Sequence, residues 1–246
     1  MAKINGKLVK LSFSGSDVPF KSDKVKQVYK KADVTDNGST NVEEQTTRYT
    51  AEIEVSGFLY KAGEKQNGKG LKLTYNSVDY KTSDLSYEET ADTHETPDGS
   101  TSGEGTDIAA SFSARKMTAS FWQEDTVVDA PLGAAHAATL LFATGVSAVN
   151  SALTLESKDI DGEIKNDQKV TVAGFFKGTV TETSLGLAVG TSATATLTLA
   201  DGSTTDKEVT GTAILASKKI SANVNGAVEL TYNFKFSGSI TENIKS

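Results

Sequence analysis

Apolar and polar residues alternate along most of this chain, the period-two pattern of strands with one buried face. Leu71, Leu73 and Tyr75 fall on one face of a strand predicted over Leu71–Tyr80. The same pattern predicts a strand over Ile4–Phe13, a turn at Gly15-Ser16-Asp17 and a returning strand over Val18–Tyr29, which together make a hairpin. Strands follow over Arg48–Phe58 and Ile108–Trp122, and then over Ala138–Val146, Ala152–Leu155, Lys169–Phe176, Ala193–Leu199, Glu208–Ala222 and Ala227–Ile240. Asp201-Gly202-Ser203 and Asn225-Gly226 carry hairpin-turn chemistry. Two stretches break the pattern. Glu88–Asp107 is the most polar and reads as a loop, mobile around Thr96–Gly105. Lys177–Val189 has room for one short helix. The fold class expected is all-β with at most one or two short helices.

A faint repeat organises these strands. Ala51-Glu52-Ile53-Glu54-Val55-Ser56-Gly57-Phe58 has an echo in Lys169-Val170-Thr171-Val172-Ala173-Gly174-Phe175, 117 residues on (57 to 174). Met117-Thr118-Ala119-Ser120-Phe121 has one in Leu230-Thr231-Tyr232-Asn233-Phe234, 113 residues on (121 to 234). Two echoes at nearly one offset imply two copies of one β domain. With the junction in Asp125–Ala135, the expected division is 1–128 and 129–246.

Composition narrows the chemistry. Hydrophobic residues are 37%, as small β domains with much exposed surface would give. Cysteine is absent, which removes disulfides, thiolate nucleophiles and thiolate metal sites. The first residues, Met1-Ala2-Lys3-Ile4-Asn5-Gly6, lack the apolar stretch of a signal peptide, and no run of about 18 apolar residues predicts a membrane span. The net charge of −7 disfavours binding to a nucleic-acid backbone. The one basic cluster, Lys21 to Lys31, reads as a solvated strand or hairpin arm.

Motifs for catalysis are missing. His94 and His136, the only histidines, have no second ligand at metal spacing, and there is no G-x-S-x-G, P-loop or G-x-G-x-x-G. The acidic stretches beginning at Asp33 and Asp159 lack the ligand alternation of a calcium loop and read as turns. Trp122, the only tryptophan, lies in an alternating strand and is expected in a core or interface. No catalytic residue, cofactor or metal is assigned, and the expectation is a protein that is not an enzyme.

The two ends of the chain carry a resemblance. An opening hairpin, Gly6–Phe13 and Val18–Ser22, leads to a strand ending Ser56-Gly57-Phe58. The closing strand runs Thr231-Tyr232-Asn233-Phe234-Lys235-Phe236-Ser237-Gly238-Ser239-Ile240-Thr241. This order resembles the major tail tube proteins of long-tailed bacteriophages, whose closing strand follows T-Y-x-x-x-F-x-G-x-G-x-I/L-T. Tyr232, Phe236, Gly238, Ile240 and Thr241 approximate that pattern, with Ser237 and Ser239 at small positions. The resemblance implies two tandem β-sandwich or barrel domains of tail-tube type in a structural protein of the virion tail, assembled in the host cytoplasm. It implies stacked rings forming a hollow conduit for genome delivery. Since family rings are hexamers, a duplicated chain would form trimers with pseudo-sixfold symmetry. Tape-measure and tail-tip or terminator proteins are the further partners implied, with DNA only in transit and no membrane.

In such a tube one strand face packs on the core and the other meets the lumen. Alternation puts Met117, Ala119, Phe121, Leu230, Tyr232 and Phe234 on the apolar face. Thr118, Ser120, Thr231, Asn233 and Lys235 are the candidate lumen-facing residues. A phage head decoration protein and a carbohydrate-binding or adhesive β-sandwich module are the alternative readings.

Overall fold

The computed structural model describes residues 9–33, 44–61, 64–95, 108–122, 130–143, 149–162, 168–182, 186–199 and 206–245. Among them every regular element is a strand. The first group is β1 (Lys10–Phe13), β2 (Ser16–Val18), β3 (Ser22–Asp33), β4 (Glu44–Phe58), β5 (Tyr60–Lys61) and β6 (Glu64–Lys65). A second is β7 (Lys72–Tyr75), β8 (Val78–Glu95) and β9 (Ile108–Trp122). The third is β10 (Ala135–Leu141), β11 (Val149–Asp161) and β12 (Lys169–Glu182), and the last is β13 (Ser192–Leu199), β14 (Asp206–Asn223) and β15 (Glu229–Lys245). β5 and β6 form a small ribbon of their own, and the other thirteen strands share one sheet.

Four expected elements are corrected. The strand expected over Leu71–Tyr80 turns at Asn76-Ser77 and becomes β7 and the start of β8, paired antiparallel. The returning strand expected over Val18–Tyr29 meets β1 only through β2, while β3 pairs with β4. Glu88–Glu95 is not loop but the second half of β8, held by β9 along its length. Its inward positions Glu89 and Ala91 are buried, but the first is a carboxylate, so the buried face leaves no apolar alternation in the sequence. Residues 96–107 lie outside the description. Lys177–Glu182 continues β12 and no helix forms there; Gly178 takes φ 76°, and the β-branched Thr179-Val180-Thr181 that follows favours extended chain. The turn expected at Asn225-Gly226 lies between β14 and β15, whereas Asp201-Gly202-Ser203 falls outside the described residues.

All pairings are antiparallel. β7, β8, β9, β12, β11 and β10 pair in that order and β10 closes on β7, making a barrel. The remaining long strands run β1–β13–β14–β15–β4–β3, and β3 is the direct continuation of β2, the hairpin partner of β1. The barrel thus draws three strands from each side of the expected division at 128/129. The second group joins β1–β4 to β13–β15, again across it. The two halves of the sequence exchange parts.

The repeat explains the exchange. In the first copy Gly57 lies opposite Leu230 and Ile53 opposite Phe234. In the second, Gly174 lies opposite Met117 and Val170 opposite Phe121. Echoed residues therefore occupy equivalent registers, with β4 matching β12 and β15 matching β9. The match extends to irregularities: β8 is bulged between Thr82 and Asp84, and β14 between Leu215 and Ser217, opposite the equivalent pairs Phe121/Ser120 and Phe234/Asn233. β8 and β14 also pair with each other, with Tyr87 opposite Ile220. Tyr87 faces Met117 and Ile220 faces Leu230 on their other sides, so this pair lies on the axis relating the copies. Equivalent strands that pair antiparallel are related by a half-turn. Neighbours in a sixfold ring keep their strand direction, so the relation inside the chain is not the pseudo-sixfold step expected from the sequence.

Eight strands then form one continuous ribbon in the order β11–β12–β9–β8–β14–β15–β4–β3. One face is the core: Leu85, Tyr87, Met117, Ala119, Phe121, Val170, Val172, Ile53, Val55, Ile220, Leu230, Tyr232 and Phe234 are all buried. Tyr75 is fully buried on β7, and its hydroxyl lies within hydrogen-bond reach of the carbonyls of Pro131 and Ala134, at 3.2 and 3.0 Å, sharing its one proton between them, which fixes the approach to β10.

Candidate functional site

The ribbon's other face collects the residues alternation had marked. Thr118 is exposed and Ser120 buried on β9; Thr231, Asn233 and Lys235 are half-buried on β15. β8 and β14 lie between the two sets, so they are not one cluster. Thr118 and Ser120 line a groove of about 410 Å³ with Asp84, Ser86, Ser221 and Asn223. Thr231, Asn233 and Lys235 lie outside it. Hydroxyl pairs tie the face together: Ser120 with Thr171 at 2.9 Å, and Ser56 with Thr231 at 3.1 Å. Lys235 donates to the Thr93 hydroxyl at 2.9 Å.

Asp84 is the best-held carboxylate on this face. It accepts from Asn223 at 2.6 Å and from the Ser83 hydroxyl at 2.8 Å, and Lys169 lies 3.5 Å away. The Asn223 hydrogen bond, helped by Ser83 and Lys169, holds its carboxyl below the usual range. The face carries lysines beside its acids, so it is hydroxyl-rich and of mixed charge rather than uniformly acidic. Trp122, expected in a core or interface, is 52% exposed. His136 is half-buried and packs edge-on against Tyr75, with ring centroids 5.2 Å apart; the His94 side chain lies outside the description. Among the described residues no group of three or more His, Asp and Glu side chains is placed to hold a metal ion.

A second polar cluster, buried on the core side of β8 and β14, escaped sequence reasoning. Lys218 has no solvent exposure; it pairs with Glu182, lies 3.8 Å from Glu89 and donates to the Leu187 carbonyl at 3.2 Å. Arg115 grips Glu89 through Nε and a terminal nitrogen, both at 2.9 Å. Glu182 Oε1 and the Tyr87 hydroxyl are buried without a hydrogen-bond partner. Burial, then the nearby Glu182 charge, pushes the Glu89 carboxyl up against the opposing pull of Lys218 and Arg115; burial likewise pushes the Tyr87 hydroxyl up. The half-turn carries Lys218 onto Leu85, Glu89 onto Ala222 and Arg115 onto Val228, all buried and apolar. The cluster therefore exists on one side of the axis only. Its members are scattered from position 89 to 218, so no local motif reveals them.

The raised carboxyl predicts a pH signature. Between the ordinary glutamate range, about 4.3, and the raised folded value, the folded chain keeps a proton on Glu89 that the unfolded chain has released. Stability then falls as pH rises through that window and levels off above it. Asp79 and Asp84 are held below the usual range and act oppositely: their contribution is present above about 3.9 and is lost as pH falls through their folded values. Urea midpoints taken from pH 3 to 8 should thus show a maximum, and Glu89→Gln should remove the decline on its alkaline side. An unchanged decline in the variant would place its origin elsewhere.

No protein-family model, curated protein or solved structure matches the chain. Its functional reading rests on the ribbon itself.

Proposed function

We propose that this chain is a tail tube subunit of a long-tailed bacteriophage, a structural protein without enzymatic activity that polymerises into stacked rings around a hollow conduit. The observation that carries the reading is the eight-strand antiparallel ribbon, which has one face sealed in the core, one hydroxyl-rich face and, among the described residues, outer strands that no further strand pairs. Among the described residues, β3 has no strand partner beyond β4, and β11 has none beyond β12 from Glu156 to Asp161. Such edges are closed in nature by covering them or by ring formation. A ring of whole chains joins edge to edge through heterologous contacts that repeat around one axis. The hydroxyl-rich face, including Thr118, Ser120, Thr231, Asn233 and Lys235, then lines the lumen, where paired hydroxyls and balanced charges give passing DNA little to grip. Tape-measure and tail-tip or terminator proteins are the further partners, and the virion tail is the location.

Negative-stain electron microscopy across a concentration series tests this directly. Rings or hollow tubes of uniform diameter are expected, with the count of chains per ring read from end-on views. Monomers at every concentration, with and without a preformed tail tip, would end the tube reading. A carbohydrate-binding or adhesive module draws on a single feature, the exposed Trp122. Saturable glycan binding that Trp122→Ala abolishes would favour it.

A further inference from the structure

The two open edges are equivalent places in the repeat, since the half-turn that carries β4 onto β12 carries β3 onto β11. Their charges are opposite. β3 reads Ser22-Asp23-Lys24-Val25-Lys26-Gln27-Val28-Tyr29-Lys30-Lys31-Ala32-Asp33, four lysines against two aspartates. The open stretch of β11 reads Glu156-Ser157-Lys158-Asp159-Ile160-Asp161, three carboxylates against one lysine. Lys24 and Lys26 are exposed, as are Glu156, Asp159 and Asp161, and Ile160 is 57% exposed. Inside the chain, Lys24 and Lys26 stand opposite Glu54 and Glu52 of β4, and Asp161 stands opposite Lys169 of β12. The rows therefore run acid on β4, base on β3, acid on β11 and base on β12. The alternation continues unbroken only if β3 of one copy meets β11 of another.

We propose that β3 pairs antiparallel with β11 of a second copy of this chain, and that the opposite charges of these edges dictate head-to-tail assembly. The proposal deepens the ring reading and rests on it. Strand direction permits the pairing: eight strands alternating in direction leave β3 and β11 antiparallel, so copies set side by side in one orientation present matching edges. Charge selects it. β3 against β3 sets lysine against lysine, and β11 against β11 sets carboxylate against carboxylate, both disfavoured directly across a ladder. Lysines that merely kept edges from aggregating would serve equally on both strands; opposite signs at equivalent positions do more, blocking two isologous dimers while leaving the heterologous contact open.

Charge reversal tests the proposal in the full chain. Lys24→Glu with Lys26→Glu makes both edges acidic; Asp159→Lys with Asp161→Lys makes both basic. Each variant alone should raise the concentration needed for assembly at least tenfold in sedimentation velocity, with circular dichroism and thermal melting showing that the chain still folds. An equimolar mixture of the two folded variants should assemble again as an alternating polymer, and all four changes in one chain should restore self-assembly. High salt should weaken wild-type assembly. Assembly that survives either reversal, or a mixture that stays unassembled while each variant is folded, would overturn the edge pairing. Tubes seen in microscopy with either reversal alone would do so while leaving the tube reading standing. Charge-dependent chains that never close into rings or tubes would keep the pairing and sink the tube.

Discussion

Replacing Lys218 with leucine is expected to destabilise the chain by about 3–5 kcal/mol, the usual cost of removing one partner from a buried ion pair. Lys218 is fully enclosed and is the direct partner of Glu182. Without it Glu182 loses its cation, and Glu89, pushed up already by burial and by Glu182, keeps only Arg115. Urea denaturation at neutral pH gives the measurement. The loss should shrink at lower pH, where Glu89, already pushed up by burial, takes up a proton. A second variant separates lost charge from lost shape: Lys218→Leu combined with Glu89→Leu and Glu182→Leu should recover much of the loss, because buried ion pairs often exchange for apolar residues at little net cost. The half-turn gives a precedent inside the chain, where Leu85 and Ala222 pair at the positions equivalent to Lys218 and Glu89. A single Lys218→Leu change within about 1 kcal/mol of wild type would mean that water reaches Glu182 and that the cluster is not sealed.

That cluster marks the limit of what the sequence discloses. Strands were legible because one buried face imposes period two: Leu71, Leu73 and Tyr75 are all buried, as are Met117, Ala119 and Phe121. The echoes around Gly57 and Gly174 were legible because equivalent registers demand similar residues. Glu88–Glu95 was not, since one of its buried positions is a carboxylate, Glu89, and the apolar alternation breaks there. The exchange of halves was hidden as well. Each copy has the strands to complete a barrel, and nothing local says which copy's strands do so. The open edges stood in plain view as a basic segment at 21–31 and acidic residues near 159, but only strand order shows that they end the same ribbon.

Gly174→Ala is the second change expected to cost heavily, by about 3 kcal/mol or more, at the upper end of overpacking penalties. A Cβ on Gly174 would sit inside contact distance of the Thr154 carbonyl oxygen and 3.0 Å from Leu155 Cα. Both are backbone atoms of β11, at the register shift between Leu155 and Ser157, so no side-chain rotamer can relieve the clash. Either β11 moves away, weakening its pairing with β12, or the shift is lost and Lys158–Asp161 slides against Lys169–Val172. Gly57 meets the same constraint in the other copy: its Cβ would lie 2.6 Å from the Pro19 carbonyl oxygen and 3.0 Å from Phe20 Cα, where β2 passes into β3. The glycines shared by the echo are thus the points where the backbone leading into each open edge, Pro19-Phe20 ahead of β3 and Thr154-Leu155 of β11, comes closest to its neighbouring strand. Gly57→Ala should therefore cost about as much as Gly174→Ala, whereas Gly226→Ala, whose Cβ would have no neighbour nearer than 3.6 Å, should change stability by well under 1 kcal/mol. Thermal melts of the three variants decide the matter. If Gly57→Ala or Gly174→Ala proved as mild as Gly226→Ala, the close backbone approaches would be soft and the edges free to shift. If both are severe, the edges are fixed by backbone sterics, and their charges can act at a set place.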